Sequence, residues 1–230
     1  MRTFLTAAAI FLLAGPAGAA TRNFGVTGFE KVRVEGPYKV VLTTGVAPFA
    51  RATGSAAALD RIAIEVRGNV LVVHSNLSSW GGYPGKDAGT VQIDIGTHDL
   101  RSVWLSGAGT LAINRIEGLS FDLSSQGSGS VTVGQADVDQ LNISVVGTSS
   151  AVLAGRAAKV TAVVRGISSL DASGLAAKDA TIGAEGAATI KANVSDAVTI
   201  DANGPVSITL GGRPACTLRV NGSASVSGCR

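Results

Sequence analysis

The sequence predicts an all-β protein, a parallel β-helix (a β-solenoid) of about 18–20 residues per coil with a partly antiparallel N-terminal cap. Glycines recur at nearly constant spacing through the second half of the chain. Around each of them apolar residues alternate with polar ones, which is the period-two pattern of half-buried strands. The composition agrees, because 30 glycines and only 4% aromatic residues suit a chain that stacks small side chains closely.

The first 19 residues have the pattern of a secretory signal peptide. Arg2 forms a short basic start, an apolar stretch runs from Phe4 to Ala14, and small residues follow up to Ala20. This order predicts cleavage after Ala19 or Ala20 and export to the periplasm or the cell exterior. The apolar stretch is shorter than the roughly 20 residues that span a bilayer, and no cysteine follows it that could be acylated. We therefore expect a mature chain without a transmembrane segment.

Residues 20–100 alternate in longer strands than the rest of the chain and predict the N-terminal β cap. Arg67, Gly68 and Asn69 separate two alternating segments and predict a tight hairpin turn. A cap is expected because the open end of a solenoid otherwise presents unpaired backbone groups. We expect this cap to form one continuous domain with the coils.

Residues 101–230 carry the repeat. A glycine recurs about every 20 residues at first and about every 18 residues near the C-terminus. Alternating apolar residues flank it on both sides. These glycines are Gly107, Gly127, Gly147, Gly166, Gly186, Gly204 and Gly222. A glycine is expected at a sharp corner between two strands, where φ is positive or the neighbouring coil approaches closely. Each coil is then a strand, a glycine corner, a second strand and a more variable segment.

A leucine-rich repeat has a similar period, but its asparagine ladder and helical return segment are missing here. The glycine–aspartate pattern of calcium-binding nonapeptide repeats is also missing. Both observations favour the plain parallel β-helix.

The order of these segments resembles a known family. The run from Phe29 to Leu42, the strands from Ile62 to Val66 and from Val70 to Val73, and the segment from Leu100 to Gly109 are similar to the putative auto-transporter adhesin head GIN domain family. The resemblance extends over residues 29–228. It implies a β-solenoid fold and an adhesin-like role at the cell surface, and its motifs are structural, so it assigns no catalytic residues.

The two cysteines, Cys216 and Cys229, are expected to form a disulfide in an oxidising compartment. A loop of about 14 residues closed in this way adds about 3 kcal/mol of stability in the chain-entropy model. A reactive or metal-binding pair is the alternative, but no histidine lies nearby in the sequence.

Catalytic patterns are weak. His98 and Asp99 are adjacent and so point apart, and no Gly-x-Ser-x-Gly elbow accompanies them. Neither His74 nor His98 belongs to a set of ligands that would hold zinc. Acidic residues are spread over the coils and could pair as in polysaccharide-degrading β-helix enzymes: Asp122, Asp137, Asp139, Asp171, Asp179, Glu185, Asp196 and Asp201. A solvated surface is the simpler interpretation, and we expect no enzyme activity, metal or cofactor.

The segment 78–86 is the most distinctive part of the chain outside the repeat. It carries Trp80 and Tyr83, which could stack on a sugar or anchor a partner. The alternative is that both rings fold back over the cap. Trp104 alternates with its apolar neighbours, so it points to the opposite face and is a candidate third binding residue.

Three functions remain open at this stage. The favoured one is a non-enzymatic exported adhesin-like or cell-envelope scaffold and binding module. The second is a carbohydrate-binding module that uses Trp80 and Tyr83, and the third is a polysaccharide-degrading enzyme. An envelope glycan or a surface protein is the expected partner. The small net charge of +3 gives no indication of nucleic-acid binding.

Overall fold

The computed structural model describes residues 19–76 and 90–230, which form β-strands and one helical turn. The strands are β1 (Ala20–Phe24), β2 (Lys31–Glu35), β3 (Lys39–Thr44), β4 (Phe49–Gly54), β5 (Ile62–Arg67), β6 (Val70–Ser75), β7 (Gln92–Thr97), β8 (Ser102–Gly107), β9 (Thr110–Gly127), β10 (Ser130–Gly147), β11 (Ser150–Gly166), β12 (Ser169–Glu185), β13 (Thr189–Asn203), β14 (Ser207–Gly211), β15 (Ala215–Asn221) and β16 (Ser225–Ser227). The helical turn is α1 (Ala56–Leu59), and the Ser55 hydroxyl caps it by accepting a hydrogen bond from the Ala58 amide. The predicted signal peptide (residues 1–19) lies, except for its last residue, outside the described residues.

The predicted all-β solenoid with a partly antiparallel N-terminal sheet is confirmed. Strands β9 to β13 each run along most of one coil, and each pairs in parallel with the strands of the coils before and after it. Thr110 pairs with Ser130, and Ser130 with Ser150, an offset of about 20 residues. The offset falls to about 18 where Thr189 pairs with Ser207. Successive coils therefore stay in register, although their length changes.

Three sheets surround the core. The first sheet contains the strand segments before each corner glycine, and the second sheet contains those after it. The third sheet consists of the segments that the sequence pattern leaves as variable, such as residues 115–118 and 135–138, which also pair in register. These segments supply only one or two buried apolar residues per coil, such as Ile116 and Val138, so their alternation is too short to be recognised.

The seven repeat glycines all have positive φ, from +85° at Gly222 to +108° at Gly107. They lie at the corner between the first and second sheets, one above another. An eighth glycine, Gly36, has φ +128° and lies directly below Gly107, whose added Cβ would be 3.4 Å from the Gly36 backbone. The sequence pattern did not identify this corner, because the chain makes a long excursion between Gly36 and Gly107.

Parallel pairing begins well before residue 101. Strands β2 and β3 form a coil beneath β8 and the start of β9, and β6 and β7 pair in parallel with β2 and β3 below it. The antiparallel part is β1–β4, β4–β7 and the β5–β6 hairpin. That hairpin turns at Gly68 and Asn69, as predicted. The cap is thus interleaved with the first coils rather than placed before them.

The core is made of inward rows that run the length of the stack. One row of the first sheet contains, from coil to coil, Leu105, Ser125, Val145, Val164, Ala184 and Ala202, and all six are buried. This row begins with Leu105 and contains alanines at Ala184 and Ala202, where the coils are shorter. A shorter coil encloses less volume, which suits the small alanine side chain.

The predicted disulfide is confirmed: Cys216 on β15 is bonded to Cys229. It ties the chain end to the last coil but does not cover the core rows there. Leu218 and Val220 occupy the same rows as the buried Ile200 and Ala202, yet they are 45% and 41% exposed. The last coil therefore gains little from apolar burial.

A buried hydroxyl in the core leads to a stability prediction. Ser125 is fully buried between Leu105 and Val145, and its hydroxyl has no hydrogen-bond partner among the described residues. Burying an unpaired hydroxyl is unfavourable. We expect Ser125→Ala to raise the free energy of unfolding by about 1 kcal/mol, measured by chemical denaturation.

Ser149 supplies the matched control. It is equally buried, but its hydroxyl lies 3.1 Å from the Gly127 carbonyl oxygen and 3.0 Å from that of Val146. Ser149→Ala should lower stability by about 1 kcal/mol. A change of the same sign in both variants would contradict the assignment of Ser125 as unsatisfied.

Candidate functional site

Of the three aromatic residues predicted for binding, the structure describes Trp104. Trp80 and Tyr83 lie outside the described residues. Trp104 lies on β8 and points outward from the first sheet, with 39% of its surface exposed. Its neighbours Val103 and Leu105 point into the core, as strand alternation requires. The surface around Trp104 is therefore the candidate site that the structure describes.

Arg33 holds one face of the Trp104 ring. The two residues are paired across β2 and β8, and the guanidinium carbon of Arg33 lies 4.5 Å from the ring centroid. Arg33 Nε also contacts Glu35 Oε1 at 2.6 Å. A cation over the ring face and an ion pair on that cation both restrict the orientation of the indole. Sequence alone could not reveal this contact, since it depends on the pairing of strands about 70 residues apart.

A cavity of about 420 Å³ adjoins Trp104 on the first sheet. Ser124 and Ser144 follow Trp104 in the same outward row on β9 and β10. Asp122 and Asn142 occupy the adjacent row, and the Asn142 amide donates a 2.8 Å hydrogen bond to Asp122 Oδ1. Small side chains beside a large ring leave a concave space, and a polar pair borders it.

A second cavity of about 460 Å³ lies where the third sheet turns into the first, and Lys31, Arg101 and Glu117 contribute to its walls. Ser102 and Asp122 line both cavities. The two spaces therefore adjoin each other at these two residues. We call this combined space the Trp104 groove.

The histidines are not arranged for nucleophilic catalysis. His74 Nε2 lies 2.9 Å from Glu65 Oε1, and His74 Nδ1 lies 3.0 Å from the backbone oxygen of Ser75. His98 is exposed. Within residues 19–76 and 90–230, no group of three or more His, Cys, Asp or Glu side chains is placed to hold a metal ion.

Several carboxylates form surface ion pairs or local hydrogen bonds. Arg156 donates two hydrogen bonds to Asp137, at 2.7 and 2.6 Å, and these lower the pKa of Asp137. The Ser173 hydroxyl and backbone amide donate hydrogen bonds to Asp171 Oδ1, at 2.5 and 3.1 Å, and these lower the pKa of Asp171. A general acid has to hold a proton near neutral pH, so a lowered pKa is the wrong direction for that role.

Two further acidic candidates are also in contact with cations. Glu185 contacts Arg165 at 3.4 Å, and Asp196 contacts Lys178 at 3.9 Å. These contacts are typical of a solvated surface.

Outward rows of hydroxyl side chains cover much of the coils. On the first sheet Thr161, Thr181, Thr199 and Thr217 stand in successive coils in one row. This row continues the line of Asp122 and Asn142. The first sheet is thus a long strand face, with the Trp104 groove toward its N-terminal side. Across the described part of the chain, no helix is both long and apolar enough to cross a membrane.

Comparison with known proteins agrees with the β-solenoid fold. The family model described as "Putative auto-transporter adhesin, head GIN domain" matches residues 28–214. A search of curated proteins gives no match. Among solved structures, a putative adhesin from Bacteroides fragilis is 20% identical, with a TM-score of 0.81 over 91% of this chain and 95% of that one.

Two structures from Parabacteroides distasonis are also similar. One is described as a putative adhesin (15% identity, TM-score 0.67, 92% of this chain and 97% of that one). The other is described as a putative lipid-binding protein (16% identity, TM-score 0.66, the same coverage). At these identities the likeness concerns the fold.

Proposed function

We propose, from the premise that this chain belongs to the family described as "Putative auto-transporter adhesin, head GIN domain", that it is an exported, non-enzymatic module. It binds a partner at the cell envelope or surface through the outer face of its first sheet. The observation that carries the proposal is that face itself, on which Trp104, hydroxyl side chains and an Asp–Asn pair stand in register over successive coils.

Two features support export. The sequence begins with a signal-peptide pattern, and the cysteines are joined in a disulfide. Disulfides persist in oxidising compartments such as the periplasm and the cell exterior. We therefore place the mature protein outside the cytoplasm.

Three of the carboxylates are unsuited to act as a general acid. Asp137, Asp171 and Glu65 each have a pKa lowered by hydrogen bonds from neighbouring side chains, so they stay ionised at neutral pH. Polysaccharide hydrolysis instead needs one carboxyl group that keeps its proton. A second function, carbohydrate binding through Trp80 and Tyr83, falls on residues outside the described part of the chain and gains no support from it.

Fractionation and an envelope-binding assay test the proposal. Full-length protein with a C-terminal tag should be recovered outside the cytoplasm, and the purified mature protein should bind isolated cell envelopes. Thr181→Arg with Thr199→Arg adds two charges to the first sheet and should weaken that binding by about tenfold or more, because charge and bulk disrupt a flat contact.

Thr189→Arg with Thr209→Arg is the matched control, since it adds the same charges to the outer face of the second sheet. This variant should bind envelopes like the wild type. Recovery of the tagged protein in the cytoplasm, or equal binding by both double variants, would refute the proposed location or the proposed face.

A further inference from the structure

We propose that the Trp104 groove is a binding subsite for a neutral glycan, in which a sugar ring stacks on the free face of Trp104 and hydrogen-bonds to Asp122 and Asn142. This inference rests on the proposed function, because it names the ligand class of the same face. It does not use Trp80 or Tyr83.

The environment of Trp104 favours a ligand that stacks. A tryptophan that is 39% exposed on the outer face of a strand leaves a large apolar surface in water. Arg33 covers the side toward β2. The other side faces β9, where the next residue of the row is the small Ser124. One ring face is thus fixed by the protein, and the opposite face is open to the groove.

The floor of the groove has room for a ring. Ser124 and Ser144 carry the row onward from Trp104, and neither is long enough to reach over the indole. The adjoining cavity of about 420 Å³ falls within the size of small-ligand sites, which are commonly a few hundred cubic ångströms. A ring stacked on Trp104 would lie above these two serines.

The polar groups beside this floor match sugar hydroxyls, which both donate and accept hydrogen bonds. Asp122 accepts from Asn142 at 2.8 Å and retains further acceptor sites on its carboxylate. Asn142 retains its amide oxygen as an acceptor and a second N–H as a donor. Because their mutual hydrogen bond fixes both side chains, the pair presents ordered partners to a ligand.

Charge makes a neutral ligand the better fit. Among the described residues that line the cavity next to Trp104, Asp122 is the one charged side chain. Arg33 is engaged with Glu35 and with the covered side of the ring. An acidic sugar stacked on Trp104 would lie against Asp122, whereas the cations Lys31 and Arg101 line the other cavity of the groove. Repulsion therefore disfavours an acidic ring at the Trp104 end.

The length of the groove favours an oligosaccharide over a single sugar. The second cavity, of about 460 Å³, continues from Ser102 and Asp122 toward Lys31 and Glu117. A chain of sugars that starts on Trp104 can follow this path. Several weak contacts along it would add to the affinity.

The chain offers a direct spectroscopic test, because Trp80 and Trp104 are its two tryptophans. In a Trp80→Phe background, all tryptophan fluorescence, excited selectively over that of the tyrosines, comes from Trp104. The probes are neutral hexasaccharides of glucose, of mannose and of N-acetylglucosamine, each titrated into the millimolar range. We expect at least one to shift the emission of Trp104, and Trp104→Ala in the otherwise native chain to weaken its binding by about tenfold in calorimetry.

Trp104→Phe should recover part of the affinity, since a smaller aromatic ring still stacks. Val152→Ala is the matched control, because Val152 is an exposed apolar residue on the second sheet and its loss should not change binding. Thermal denaturation of each variant checks that the fold is intact.

Three results would overturn the inference: no response to any hexasaccharide, equal binding by wild type and Trp104→Ala, or binding that is lost in Trp80→Phe alone. If Trp104→Ala also leaves envelope binding intact, the proposed function survives while the glycan subsite does not. If envelope binding depends on Trp104 but no hexasaccharide binds, the glycan subsite is refuted and the ligand of the groove is a protein. If the wild-type protein does not bind envelopes at all, the proposed function itself is refuted.

Discussion

Gly147→Val is expected to lower the free energy of unfolding by about 3 kcal/mol or more. Gly147 has φ +100°, a conformation that costs a β-branched residue about 1–3 kcal/mol. An added Cβ would also lie 2.5 Å from the carbonyl oxygen of Gly127 in the coil below. The Gly147 Cα that carries this Cβ and the Gly127 oxygen belong to stacked backbones, so the clash is relieved only if neighbouring coils move apart. Chemical denaturation followed by circular dichroism measures the effect.

Gly183→Val is the matched control for this prediction. Gly183 lies on the first sheet within β12, without positive φ, and the nearest atom to an added Cβ is 4.0 Å away. Valine there should be neutral or stabilising by up to about 1 kcal/mol, because it removes glycine's freedom in the unfolded chain and favours a strand. Equal destabilisation by both valines would show that the corner geometry is not the cause.

Removing the disulfide is the second large effect. We expect Cys216→Ala with Cys229→Ala to lower stability by about 3 kcal/mol, as closure of a loop of this length implies in the chain-entropy model. Leu218 and Val220 are 45% and 41% exposed, so apolar burial alone holds the last coil weakly. The loss should therefore concentrate in β15 and β16.

Hydrogen exchange measures this distribution. Amides of β15 and β16 should lose protection in the double variant, while those of β9 and β10 keep it, since each coil is stabilised mainly by its neighbours. Wild-type protein treated with a reductant should behave like the double variant. Uniform loss of protection along the stack would contradict a local role for the bond.

The candidate site was only partly accessible from the sequence. Alternation of Val103, Trp104 and Leu105 predicts an outward tryptophan, because side chains of a strand point to opposite faces in turn. The Arg33 contact with Trp104 and the Asp122 contact with Asn142 depend on which strands lie side by side. That information is contained in the register between coils, and no local pattern carries it.

The sequence by itself determined the architecture of the coils. Positive φ and close backbone approach both select glycine, so each corner appears in the sequence as a glycine at regular spacing. The strands of the first two sheets appear as alternating apolar residues. The tertiary structure alone decided three things: that residues 31–44 form a coil around Gly36, that the variable segments build a third sheet, and that the Trp104 groove exists. Each of these features arises from pairing between segments that are distant in sequence. The contacts that stabilise it form between those segments, so no single segment contains the signal.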